Sequence, residues 1–146
     1  MEQKYEDYVW SSKFEIGDQK IDDQHKGLVA TMNSLLHALQ TGGHRTEAQG
    51  TLSHLLEYTV EHFASEEELQ RKINYPDYAR HKKIHDDFKE TAVALAGQAE
   101  KELKEKGKLS IALIAKVHDG IGDWVVSHIL GEDLKLVPYI QKHKQA

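Results

Sequence analysis

Apolar residues recur three and four positions apart from Ile21 almost to the end of the chain, and nowhere do they alternate with polar ones over the length of a strand. That period belongs to helices and excludes a sheet. Glycines and the two prolines cut the pattern into four segments. The first, over 20–41, carries Ile21, Leu28, Val29, Met32, Leu35, Leu36 and Leu39 and stops at Gly42. The second, over 45–73, carries Leu52, Leu55, Leu56, Thr59, His62, Phe63, Glu66, Leu69 and Ile73. Tyr75-Pro76-Asp77 then breaks the chain, because proline suits the first turn of a new helix and disfavours the interior of an old one. The third segment, 77–106, places His81, His85, Phe88, Ala92, Leu95, Ala99 and Leu103 on one face. Ser110 is a suitable cap for the fourth, 110–131, whose inner face holds Ile114, Val117, Ile121, Trp124, Val125 and His128.

Four helices joined by short turns bury one stripe each by packing antiparallel, so the expected fold is an all-α, up-down four-helix bundle formed by a single domain, 1–146. Residues 1–18 form an N-terminal arm with Tyr5, Tyr8, Trp10 and Phe14, expected to lie across one end of the bundle. The 39% hydrophobic content suffices for one core, and the absence of cysteine excludes disulfides and thiolate chemistry. A polar N-terminus and interrupted apolar runs point to a cytoplasmic protein without a membrane partner. With a net charge of −5 and no basic stripe, nucleic acid is not an expected partner. A monomer is expected.

The 10 histidines are the unusual number. Residues four apart on a helix lie about 40° apart in projection, so His62 with Glu66, and His81 with His85, point the same way. Both pairs lie on core-facing stripes, and so do His25 and His128. Asp133 is five residues beyond His128 and on a regular helix would turn about 140° away. A left-handed Gly131 ending the helix would let it bend back. An unsatisfied inward polar group costs on the order of 1–3 kcal/mol, and a bare charge more, so these residues need a common partner. Five imidazoles and two carboxylates exceed what one ion takes. Two roughly six-coordinate ions of iron, manganese or zinc, bridged by carboxylates, would use them all. His37, His44, His54, His118 and His143 are expected at the surface or at helix ends. Glu67 and Glu68 turn about 100° and 200° from Glu66 and are expected on a solvated acidic face.

The stretches "IDDQHKGL" around His25, "HFASEEEL" from His62, "YPDYARHKKIHDDF" through His81 and His85, and "WVVSHILGEDLK" through His128 to Asp133 occur in the order of the hemerythrin family. The chain resembles that family in its single-domain bacterial form, and "YVWSSKFEIG" resembles the N-terminal arm of the bacterial members. The resemblance implies a non-haem di-iron centre, two Fe2+/Fe3+ ions with a bridging oxo or hydroxo oxygen. His81, His85 and His128 would hold one iron, His25 and His62 the other, and Glu66 and Asp133 would bridge them. At about six positions per iron, this set leaves one place of about 12 open, on the two-histidine iron, for dioxygen.

The implied function is reversible dioxygen binding for storage, transport or delivery to an oxygen-consuming recipient. Neutral imidazoles stabilise highly charged iron less than carboxylates do, which favours reversible binding over oxidation of substrates. An apolar lining of Leu28, Phe63, Trp124, Val125 and Trp10 would keep water out. The chain departs from the family pattern at Val125, where leucine is common, and at Gln70, where bacterial members often carry methionine. Gln70 is expected to hydrogen-bond at the margin of the core. No acid or base is dedicated to chemistry beside the candidate ligands, so an enzyme is not expected. The alternatives are an oxygen- or redox-sensing domain and a peroxidase- or oxidase-like enzyme. The chain begins with Met1 and ends soon after Asp133, which favours a free-standing domain over a sensory one.

Overall fold

The computed structural model describes the backbone of residues 7–40 and 45–145, and the side chains of 7–38 and 50–145. Tyr5, the turn at 41–43, His44 and the side chain of Leu39 lie outside the described residues. The protein is an all-α four-helix bundle. Its long helices are α1 (Gln19–Gln40), α2 (Arg45–Lys72) and α3 (Tyr78–Lys106). The fourth member begins as α4 (Ile111–Val117), passes through a π-helical segment (His118–Asp123) and continues as α5 (Trp124–Gly131). A 3-10 turn (Asp133–Leu136) then leads into α6 (Val137–Gln145). No strand occurs among the described residues, and no helix among them is long and apolar enough to cross a membrane.

The helices form where apolar spacing and end signals coincide. The buried residues of α3 are His81, His85, Phe88, Ala92, Leu95, Ala99 and Leu103, one stripe along its length. Gly107 closes this helix with φ 73°, a left-handed conformation that glycine adopts without a Cβ penalty, and returns its N–H to the Leu103 carbonyl. Ser110 caps α4, its Oγ accepting the Leu113 N–H at 3.2 Å, while its own N–H donates to Glu102 Oε1 at 2.8 Å. Ser110→Ala is therefore expected to cost about 1 kcal/mol, read as a lower urea midpoint at unchanged slope.

Three features differ from what the sequence suggests. The fourth helix is not continuous: around Gly120 and Gly122 it widens into the π segment, bringing the Gly122 backbone against the Tyr8 hydroxyl and the Met32 methyl. A side chain at Gly122 would collide with both. The chain also continues helically beyond 131, because Pro138 is the second residue of α6, where a missing N–H costs nothing. Ile140 from this helix joins Ile16, Ile21, Ile73, Tyr75 and Leu136 in a second, smaller apolar cluster.

The arm, finally, does not cross an end of the bundle but runs antiparallel along α1. Asn33 holds Tyr8 by both backbone groups, accepting its N–H and donating to its carbonyl, each at 2.8 Å. The Tyr8 hydroxyl donates to Asp123 at 2.9 Å, the Lys26 ammonium lies 5.7 Å from the Trp10 ring centre, and the Ile16 N–H donates to Asp22 at 2.7 Å. An amide side chain offers a donor and an acceptor together, which an extended backbone matches residue for residue.

Candidate metal centre

All four members of the bundle contribute to one buried polar cluster. His25 comes from α1, His62 and Glu66 from α2, His81 and His85 from α3, His128 from α5 and Asp133 from the turn that follows. All seven are buried, and His25, Glu66, His81, His85 and Asp133 have no exposed surface. The Nε2 atoms of His81, His85 and His128 form a triangle with edges of 3.0, 3.1 and 3.0 Å. On the other side, the Nε2 atoms of His25 and His62 face the remaining carboxylate oxygens.

The two carboxylates divide their oxygens between these groups. Glu66 Oε1 lies 2.7 Å from His81 Nε2 and 3.5 Å from His85 Nε2, whereas its Oε2 lies 3.3 Å from His62 Nε2 and 3.8 Å from His25 Nε2. Asp133 does the same: Oδ1 is 3.0 Å from His128 Nε2 and 3.2 Å from His81 Nε2, and Oδ2 is 3.1 Å from His25 Nε2. Two sets of donors result, Glu66, His81, His85, His128 and Asp133 in one and His25, His62, Glu66 and Asp133 in the other.

Asp133 reaches the cluster by a route other than the one the sequence suggests. Gly131 is an ordinary right-handed residue at the end of α5 and does not adopt positive φ. The helix instead loosens at Glu132 (φ −97°, ψ −46°) and tightens into the 3-10 turn that begins with Asp133 itself. Arg80, beside His81, clamps Glu132 through two N–H donors at 2.8 and 3.4 Å and so ties α3 to this turn. Burial and turn chemistry together aim the carboxylate; no left-handed residue is needed.

Outer contacts orient the rings. Gln24 Oε1 lies 2.9 Å from His62 Nδ1, and the Gln24 amide nitrogen donates to Ser65 Oγ at 3.1 Å. Glu67 is buried, not solvated as its offset from Glu66 suggests, and its Oε2 lies 2.9 Å from His85 Nδ1. A residue 100° round from the core-facing one sits on the seam with the next helix, and a glutamate is long enough to cross it. Glu68, one step further, is exposed. Gln70 is fully buried, not at the core's margin, with its amide nitrogen 3.4 Å from Glu66 Oε1.

Aromatic rings pack against the imidazoles. Phe63 stacks on His85 at 3.8 Å, and Trp124 stacks on His128 at 4.5 Å and on Phe88 at 3.7 Å. Leu28, one turn beyond His25, and Val125 are buried in the same core. Trp10, half-buried, stacks on Phe14 of the arm at 5.2 Å and packs against the same core. Of the histidines outside the cluster, His37, His54 and His143 are exposed, and His118 lies half-buried beneath Tyr8 with its Nδ1 3.0 Å from Asp119.

The buried charges act on one another across the cluster. Burial pushes the His25 and His81 imidazoles down, but the facing Asp133 and Glu66 carboxylates outweigh it and lift both to about 9. For His62 burial prevails over the Glu66 carboxylate and holds the ring below its usual range. Burial pushes Glu66 and Asp133 up, and the surrounding imidazoles more than reverse it, leaving both below the usual carboxylate range.

Hydrogen bonds alone do not satisfy this arrangement. A single ring nitrogen is either a donor or an acceptor, so among three in mutual contact at least two must be alike and repel. Both ring nitrogens of His25, both oxygens of Asp133 and Glu66 Oε2 are buried without a hydrogen-bond partner. Metal–imidazole bonds of about 2.1 Å place adjacent octahedral positions about 3.0 Å apart and tetrahedral ones about 3.4 Å apart. The 3.0–3.1 Å triangle matches the octahedral spacing. The residues present therefore fit a metal, and the donor set of imidazoles with carboxylates suits iron.

Comparison with known proteins places the chain in a family. Residues 17–140 match the family model of the hemerythrin HHE cation binding domain. A hemerythrin-like protein of Naegleria gruberi is 34% identical over 128 residues, 88% of this chain and 89% of that one. The bacteriohemerythrin of Stenotrophomonas maltophilia (strain R551-3) is 30% identical over 135 residues, 92% of this chain and 82% of its own. In the crystal structure of wild-type hemerythrin the same architecture recurs with a TM-score of 0.73 and 29% identity, over 90% of this chain and 95% of the other.

Proposed function

The chain belongs to the hemerythrin family, and from that premise we infer that it binds dioxygen reversibly at a non-haem di-iron centre, for storage, transport or delivery. The observation that carries this reading is the division of Glu66 and Asp133, each with one oxygen toward three imidazoles and the other toward two. Carboxylates so placed would each serve two ions. His81, His85 and His128 would hold one iron and His25 and His62 the other, with an oxo or hydroxo oxygen completing the bridge. Such a centre, when bound, supplies the electrons for reversible oxygen uptake as its two irons pass between ferrous and ferric.

The protein's own part is to orient and to exclude. Gln24 and Glu67 engage the Nδ1 atoms of His62 and His85, which turns their Nε2 lone pairs inward. With three imidazoles on one side and two on the other, the His25 and His62 side would be the one to take dioxygen. Leu28, Phe63 and Val125, all buried, keep water and free protons from that space. Among the described residues the one further acid against a donor ring, Glu67, is already engaged by His85, which favours binding over catalysis.

The test is to load the protein with ferrous iron anaerobically, admit oxygen, remove it, and follow visible absorption through several cycles. Reversible colour is expected. One-way conversion to the ferric state, or catalytic consumption of peroxide or nitric oxide, would replace this reading with a sensor or an enzyme. Val125 also sets an expectation of its own, since a leucine there would fill more of the apolar space. Val125→Leu should slow the loss of the oxygenated form several-fold, and an unchanged or faster loss in that variant would defeat the idea.

A further inference from the structure

The two halves of the cluster differ in what stands behind their imidazoles. His85 Nδ1 meets a buried carboxylate oxygen of Glu67 at 2.9 Å. His62 Nδ1 meets the amide oxygen of Gln24, also at 2.9 Å, and Ser65 holds that amide in orientation. The two outer acceptors are alike in reach and unlike in charge. His25 Nδ1 and His81 Nδ1 have no hydrogen-bond partner. The charged acceptor therefore stands on the side of the three histidines and the neutral one on the side of the two.

We propose that Glu67 is a positioning residue that makes the centre electronically unequal, its carboxylate turning His85 into the stronger donor and rendering the three-histidine iron the easier of the two to oxidise. The proposal rests on the di-iron reading above. An imidazole that donates its Nδ1–H to a carboxylate has a more basic Nε2, fixed in tautomer and ring angle. An amide oxygen fixes tautomer and angle equally well but adds no net charge. In a buried site, where charges are poorly screened, the added negative charge favours the more highly charged ion. One turn of α2 thus supplies both the shared carboxylate of Glu66 and, one residue later, the unshared carboxylate that distinguishes one half from the other.

The test uses the full chain loaded with iron, with three measurements: iron content, midpoint potential, and the Mössbauer spectrum of the diferrous protein. Glu67→Gln keeps the length and an acceptor oxygen but removes the charge. It is expected to retain two irons, to lower the ratio of ferric to ferrous affinity at least tenfold, about 59 mV upward for a one-electron couple, and to move one of the two iron signals alone. Gln24→Glu adds charge on the opposite side and is expected to lower the potential and to move the other signal. Glu67→Ala, which removes the acceptor altogether, should weaken iron binding about 10–100-fold.

A role in packing alone would change stability but move neither the potential nor one signal selectively. If Glu67→Gln retains two irons with an unmoved potential, or moves both signals equally, this proposal falls and the di-iron reading stands. A parent protein that takes up fewer than two irons overturns the di-iron reading and this proposal with it. Should Glu67→Gln fail to fold, Gln24→Glu decides, and an unchanged potential in that variant overturns the proposal.

Discussion

Glu66→Ala is expected to reduce the chain from two bound irons to one at most and to abolish reversible oxygen uptake. Its two oxygens face four of the five donor imidazoles, those of His81, His85, His62 and His25. Without it the two halves lose the shared charge that offsets the repulsion between neighbouring cations. Asp133 alone cannot replace that charge. His62, His81 and His85 also lose a charged partner, and each buried group left unsatisfied costs about 1–3 kcal/mol. The measurement is iron per chain by elemental analysis after anaerobic loading, with visible absorption on oxygenation and circular dichroism to establish that the helices persist. Glu66→Gln, of the same size, separates charge from space and is expected to fail nearly as completely. Two irons retained in either folded variant would contradict the assignment of Glu66 as a bridge.

Phe63→Ala is expected to destabilise the protein by about 3–5 kcal/mol, a large share of the roughly 5–15 kcal/mol that holds a domain of this size together. The ring is buried, lies flat on His85 at 3.8 Å and meets Phe88, Trp124 and His128 edge-on at 6.0–6.2 Å. Its removal opens a cavity between three aromatic neighbours and frees the His85 ring to tilt. Urea unfolding of the protein stripped with a chelator reads the packing loss without the contribution of iron. A midpoint unchanged from the parent would show that the core closes over the gap. In the loaded protein the same variant is expected to pass more rapidly to the ferric state, because the ring that covers His85 is gone.

Much of the bundle is legible in the amino-acid order because helical periodicity reports an angle. The stripe of α3 can be written down from spacing, histidines included, since residues three and four apart share a face whatever surrounds them. The same rule finds the inward pairs His62 with Glu66 and His81 with His85, and it places His25 and His128 among apolar neighbours. It misleads at Glu67, where the angle from Glu66 is right but the consequence is not. Whether a residue on the flank meets solvent or a neighbouring helix depends on where that neighbour lies, and α3 lies within reach of its carboxylate. Pro138 misleads in another way, because a proline that ends one helix also opens the next, and only the packing of Ile140 shows which applies. The signal that could have found Glu67 is its length combined with its place one residue past a buried acid.

The chain by itself determined that there are helices, which face of each turns inward, and that those faces carry more polar donors than a core can leave unpartnered. Only the tertiary structure decided that Glu66 and Asp133 split their oxygens between two groups of imidazoles, that Glu67 backs His85, that Asp133 arrives on a 3-10 turn, and that the arm lies along α1. The physical reason is that periodicity specifies rotation about a helix axis. It says nothing of the height of one helix against another, nor of how far a side chain reaches across the seam between them, and it is those two quantities that bring donors from distant parts of the chain within about 3 Å of one another.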